Sequence, residues 1–124
     1  CKMKLSELEV FNLAMELGEM VWKEVLAWDY FAKNTIGKQV VNSADSVAAN
    51  IAEGFGRFHY QENKHFCYIS RGSLTETQVW LKKAENRNLI TIEVLQIYND
   101  KIDLLHKRLN AYIKSIGSKN ITNK

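Results

Sequence analysis

Few residues in this chain have the types and spacing for chemistry. His59, His65 and Cys67 lie close together, and Glu62-Asn63-Lys64-His65 spaces a carboxylate and an imidazole as on the helices of di-iron bundles. A zinc site wants four such ligands, and a di-iron centre wants a second Glu-x-x-His pair on a facing helix. No second cluster supplies either complement. His65 and Cys67 are two positions apart, so on a helix they do not share a face. Cys67 reads as a small buried or half-buried hydrophobe rather than a nucleophile. The expectation is no catalytic residue, no metal, no cofactor and no small-molecule substrate.

The remaining polar chemistry is concentrated in Asn50-Ile51-Ala52-Glu53-Gly54-Phe55-Gly56-Arg57, where two glycines, an aromatic and an arginine interrupt helical patterning. Gly54 follows an apolar helical run, the place for a left-handed C′ glycine. Gly56 permits a second backbone step, and Phe55 can fold back on the helix it leaves. Glu53 stands in the last helical turn, where a negative charge opposes the dipole, so a cation from Arg57 or Arg71 is expected beside it. Asn50 is expected to bond the backbone of the same corner. With no second acid or nucleophile nearby, Asn50, Glu53, Gly54, Gly56 and Arg57 make a structural corner between helices rather than an active site.

The elements that must hold these residues are helical. The chain has 124 residues, 46% of them hydrophobic and 25% charged, with no proline. That is one domain able to bury a core without staples. A first helix is expected over about 6–28, with Ser6 and Glu9 as a capping box. Leu8, Phe11, Met15, Gly18, Trp22 and Val25 form its seam, which Ala14, Val21 and Trp28 widen. Residues 29–35 read as a loop in which Asn34 or Thr35 caps the second helix, 36–53. Ile36, Val40, Ala44, Val47 and Ile51 are the seam of that helix, and its many small residues predict close packing on more than one side. A third helix, 61–88, has Phe66, Ile69, Ser73, Thr77, Trp80 and Ala84 as its seam, with Leu74 and Leu81 beside them, and Gly72 in mid-helix predicts a close crossing. The fourth, 92–116, runs Leu95, Tyr98, Ile102, Leu105, Leu109, Tyr112, Ile116 without a fault. Gly117 ends it, and 117–124 reads as a frayed polar tail. The fold class is all-α, an up-down-up-down antiparallel four-helix bundle.

Charge is uneven. Residues 1–62 hold 6 basic and 9 acidic side chains, and residues 63–124 hold 11 basic and 5 acidic. Lys64, Arg71, Lys82, Lys83, Arg87, Lys107, Arg108 and Lys114 are the candidate contacts for a nucleic-acid backbone. The same asymmetry would also let the acidic half of one subunit meet the basic half of another. No apolar run reaches the length of a membrane span, no hydrophobic leader precedes the first amphipathic segment, and two cysteines make no disulfide framework. A cytoplasmic protein is expected.

The motifs resemble a known family, the bacterial four-helix-bundle proteins encoded within intervening sequences of 23S ribosomal RNA genes. That family carries a pattern near Q-x-x-R-A-x-x-S-I-P-x-N-I-A-E-G-x-G-R, followed by E-x-x-x-F and A-x-G-S-L-x-E. Gln39, Ser46, Val47, Asn50, Ile51, Ala52, Glu53, Gly54, Gly56 and Arg57 match the first part. Glu62, Phe66, Gly72, Ser73, Leu74 and Glu76 match the second, and the stretch from Arg108 to Ser115 resembles the closing helix. Val41 and Asn42 replace the usual basic residues, Ala48 the usual proline, and His59 the usual capping serine. The resemblance implies a ring-like homopentamer without catalysis, related to accessory proteins of diversity-generating retroelements, which associate with a reverse transcriptase and nucleic acid. Two functions follow as expectations. One is a homo-oligomeric adaptor that associates with RNA, or with a nucleic-acid-processing protein, through a basic surface. The other is a protein-protein scaffold with no nucleic-acid role, suited by three tryptophans and the small-residue second helix.

Overall fold

A computed structural model describes residues 3–118. Its four long helices are α1 (Glu9–Leu26), α2 (Lys38–Phe55), α3 (Tyr60–Asn86) and α4 (Ile92–Ser115), and no strand occurs among the described residues. The expected tail lies almost wholly outside the described residues. Side-chain pairs between neighbouring helices show the topology. Between α2 and α3, Val47 pairs with Ser70, Ser46 with Ser73 and Ser43 with Thr77, so numbers rise on one helix as they fall on the other. The same inversion links Met20 and Tyr98, Glu16 and Lys101, and Glu9 and Arg108 across α1 and α4. The α2–α3 and α1–α4 pairs are therefore antiparallel in an all-α four-helix arrangement, with α2 packed against both α1 and α3.

The seams of α2 and α4 are buried as their periodicity predicts, except that Tyr112 is only half-buried. Those of α1 and α3 are buried in part. Leu8, Gly18 and Val25 with the flanking Ala14, Val21 and Trp28, and Thr77 and Ala84 with the flanking Leu74 and Leu81, face the core as expected. The rest of each seam is half-buried or turned outward. On α1 the buried side chains are Val10, Ala14, Leu17, Val21 and Val25, while Met15 and Trp22 face outward. On α3 they are Cys67, Ser70, Leu74, Thr77, Leu81 and Ala84, while Ile69 is exposed and Phe66, Ser73 and Trp80 are half-buried. Each helix carries two apolar stripes one residue, or about 100°, apart. The neighbours decide which of them is inside.

The ends of the helices differ from expectation for local reasons. α1 starts at Glu9 after a 3-10 turn, Leu5–Glu7, and the Glu7 carboxylate accepts from the Lys4 N–H at 2.8 Å. Residues 29–35 are not a loop. A helical turn, Tyr30–Ala32, and a π-helical turn, Lys33–Gly37, run straight into α2. Asp29 caps this lead-in by accepting from the Ala32 N–H at 3.0 Å, while Asn34 and Thr35 bond back to Tyr30 and Phe31 carbonyls. Thr91 caps α4 through the Val94 N–H. Asn88 at φ 61° turns the chain after α3, and Gly117 at φ 83° closes α4. Gly72 meets nothing within 4 Å of where a Cβ would stand, so the close crossing expected there is absent from the chain by itself.

Gly54 lies inside α2, which continues to Phe55, and only Gly117 among the described glycines has a positive φ. Close approach makes Gly54 a glycine. A Cβ there would lie 2.7 Å from Asn63 Oδ1, 2.8 Å from the Asn63 carbonyl oxygen and 3.1 Å from Phe66 Cβ. Gly56 has φ −80° and only ordinary contacts at 3.7 Å. Gly54→Ala should therefore force α2 and α3 apart and cost about 1–3 kcal/mol. Gly56→Ala should stay within about 0.5 kcal/mol of the parent. Denaturant unfolding of the two variants checks this.

Candidate nucleic-acid interface

The corner joins α2 to α3 and sets the start of the basic helix. Arg57 donates to Glu53 at 2.7 Å, and its guanidinium lies 4.8 Å from the centre of the Phe66 ring. The ion pair is exposed on both sides, and such helical pairs contribute only about 0.3–0.5 kcal/mol. Contact at Gly54 positions the corner more strongly than this charge pair does. Phe55 packs partly against the core. Asn50 does not bond the corner. Its amide donates backward to the Ser46 carbonyl at 2.9 Å and the Ser46 hydroxyl at 2.8 Å, joining the polar contacts between α2 and α3.

From that anchored start, α3 runs beside α4. Arg71 donates to Asn110 Oδ1 at 2.8 Å, and its guanidinium lies 5.1 Å from the centre of the Tyr68 ring. This contact locates the basic residues. Lys64 is two helical turns before Arg71 on the same face of α3, and Lys107 and Lys114 flank Asn110 one turn to either side on α4. Four of the eight predicted cations thus share adjoining helix faces. The other four do not join them. Lys82, Lys83 and Arg87 lie at the far end of α3, Lys82 about 16 Å along the axis from Arg71 at 1.5 Å per residue. Lys82 is paired with Glu85 at 3.1 Å, and Arg108 points to Glu9 on α1 at 3.9 Å.

Asn110, Tyr68 and His106 belong to this surface but did not stand out in the sequence. Asn110 and Tyr68 hold the Arg71 guanidinium. Burial lowers the His106 pKa from its ordinary value, Arg71 lowers it further, and Asp103 opposes the shift. Only the pairing of α3 with α4 brings these groups together, so no local spacing marks them.

The sequence model of a family described as 23S rRNA-intervening sequence protein matches residues 6–111. The chain belongs to this family. Of the residues on which the resemblance rests, Asn50, Glu53, Gly54, Arg57 and Ser73 shape the corner and the α2–α3 contact. A solved structure with the same fold is a protein of unknown function from the S23 ribosomal protein family of Bacteroides thetaiotaomicron. It is 22% identical over 86% of this chain and 99% of its own length, with a TM-score of 0.76. No curated protein matches the chain.

Burial sets the state of the interior titratable groups. Cys67 is buried, donates weakly to Asn63 Oδ1 at 3.6 Å, and has its thiol pKa pushed up to about 11 by burial. Burial also raises the Tyr98 and Tyr112 phenols. Among the described residues no group of three or more His, Cys, Asp or Glu side chains is arranged to hold a metal ion. No helix among them is long and apolar enough to cross a membrane.

Two solution measurements test these environments. Peptide-resolved alkylation at pH 8 should leave Cys67 unmodified in the folded protein and label it fully on unfolding. For His106, the folded pKa lies below the ordinary value of 6.5, so the unfolded chain takes up the proton first as pH falls. Folding stability should therefore decline as pH drops through about 6.5 toward the folded pKa, and His106→Gln should flatten that limb of a stability-pH profile.

Proposed function

We propose that this chain is a non-enzymatic, homo-oligomeric helical adaptor, assembled as a ring-like pentamer in the cytoplasm, that associates with RNA or an RNA-protein complex. The observation that carries the proposal is the Arg71–Asn110 contact, which brings Lys64, Arg71, Lys107 and Lys114 onto adjoining faces of α3 and α4. Cations on rigid helix faces neutralise phosphates without reading base edges, so the association is electrostatic and weakly sequence-selective. The family is described by its place in 23S rRNA intervening sequences, and that context is the support for RNA as the class of partner. Oligomerisation multiplies the effect, because each subunit added to a ring presents another copy of the same four cations to one polymer.

A second function is favoured by a different observation. Met15, Trp22 and Leu26 form an exposed apolar strip on α1, suited to protein contact rather than to phosphate. On that basis the molecule would be a protein-protein scaffold with no nucleic-acid role.

Fluorescence anisotropy with a structured RNA, titrated across salt concentration, separates the two. The adaptor should bind with a log-log salt slope of about −3 per engaged subunit, as expected for four phosphate contacts on single-stranded segments. Replacing Lys107 and Lys114 together by Glu should weaken binding at least about tenfold at low salt and flatten the slope. Replacing Lys82 and Arg87, which lie at the other end of α3, should change binding far less. Affinity that is indifferent to salt, or unmoved by the Lys107/Lys114 exchange, would overturn the adaptor. An oligomer that ignores RNA altogether would establish the scaffold in its place.

A further inference from the structure

α1 carries an apolar seam of which Met15 and Trp22 face outward while Gly18 is buried and Phe11 packs against the core. Phe11, Met15, Gly18 and Trp22 follow at spacings of 4, 3 and 4, the repeat of a coiled-coil contact. The core of the chain uses the neighbouring stripe instead, leaving Met15 and Trp22 46% and 51% exposed. Beside this seam runs a groove between α1 and α2, lined by Phe11, Met15, Gly18, Asp45, Ala48 and Ala49. The small residues of α2 leave room for another helix. Gly18 lets Asp45 close on α1, since a Cβ there would stand 2.9 Å from Asp45 Oδ1. Glu19 lies on the same rim, and no ion pair is closed by Glu19 or Asp45 among the described residues. Burial, together with the Glu19 charge, raises the Asp45 carboxyl above its ordinary pKa. An occupant of this groove should therefore be a helix with a narrow apolar seam and a cation.

The outward face of α3 has that composition. Ile69, Gly72, Glu76, Val79 and Lys83 follow at spacings of 3, 4, 3 and 4. Ile69 and Val79 are 41% and 49% exposed. Gly72 faces open space in mid-helix, where alanine would be intrinsically better by about 1 kcal/mol, unless another helix crosses there. Lys83 closes no ion pair among the described residues. The groove belongs to the acidic half of the chain and the strip to the basic half.

Resting on the self-association proposed above, we infer that the outer strip of α3 in one copy seats in the α1–α2 groove of a second copy, with Lys83 serving the Asp45 and Glu19 carboxylates. Groove and strip are different surfaces of one chain, so the contact is head-to-tail. Every subunit then offers one groove and one strip, and repetition closes a ring if the rotation allows.

The test uses full-length protein and two exposed positions, Met15 in the groove and Ile69 on the strip, whose replacement leaves the core intact. Circular dichroism melts confirm folding of each variant. Light scattering on a sizing column should find Met15→Glu and Ile69→Glu each monomeric, with assembly weakened by about thirtyfold or more. Mixed in equal amounts they should form a dimer and nothing larger, because one intact strip meets one intact groove. Asp45→Lys should weaken assembly, and Lys83→Glu in the same chain should restore about tenfold of that loss. Either variant assembling like the parent, or a mixture that stays monomeric, overturns the inference while leaving oligomerisation intact. A parent chain that is itself monomeric at high concentration would instead sink the self-association on which this rests.

Discussion

A row of hydroxyl contacts between α2 and α3 holds the register on which the rest of the bundle depends. Thr77 donates to Ser43 at 2.8 Å, Ser46 and Ser73 share a hydrogen bond at 2.9 Å, and Ser70 donates to the Val47 carbonyl at 2.8 Å. Ser43, Ser70 and Thr77 are buried. Each such bond contributes little net stability, but a buried hydroxyl left without its partner costs about 1–3 kcal/mol. Ser43 and Thr77 can also bond the Val40 and Ser73 carbonyls of their own helices, so sliding α3 along α2 would break the cross-helix contacts together and leave Ser70 without the Val47 carbonyl. Apolar contacts tolerate such slippage far better, so these small polar side chains select one alignment.

That alignment has consequences at both ends of the contact. Toward the corner it brings Asn63 and Phe66 onto Gly54, a fit that no side chain at position 54 would allow. Arg57 can then bridge Glu53 and the Phe66 ring. Farther along, it fixes the rotation of α3, with Leu74 and Leu81 inward and Arg71 directed toward Asn110 of α4. The basic faces of α3 and α4 are thus a product of packing between α2 and α3.

The distribution of chemistry follows from the same architecture. Among the described residues the buried polar side chains are Ser43, Ser70 and Thr77, with the Asn99 amide oxygen also out of contact with solvent. Burial favours the neutral forms of Cys67, Tyr98 and Tyr112. Charge lies on the outer faces, with acids weighted toward α1 and α2 and cations toward α3 and α4. α1 is tied to α4 at its rim by Lys101 with Glu16, by Arg108 with Glu9, and by the Tyr98 hydroxyl on the Met20 carbonyl. Its side facing the α1–α2 groove lacks such ties and remains apolar and open.

Four helices, the buried faces of α2 and α4, the glycine end of α4 and the family motif were legible in the sequence, because periodicity and capping chemistry are local properties. α1 and α3 were legible as helices, but their rotation only in part. The broad α1 stripe, which includes Ala14 and Val21, left open which of its edges meets a neighbour: Val10 and Leu17 are buried and Met15 and Trp22 are not. Gly54 was legible as a constrained position and misread in cause, since a glycine required by close approach looks in sequence like one required by a left-handed turn. The eight cations were all visible, yet their division into a group of four around Arg71 and Asn110, a distant end of α3 and a contact to α1 was not. The sequence by itself determined the helices, their polarity and the family. Tertiary structure alone decided which faces are buried and which charges are neighbours, because those depend on residues that are distant in the chain and adjacent only after the helices have packed.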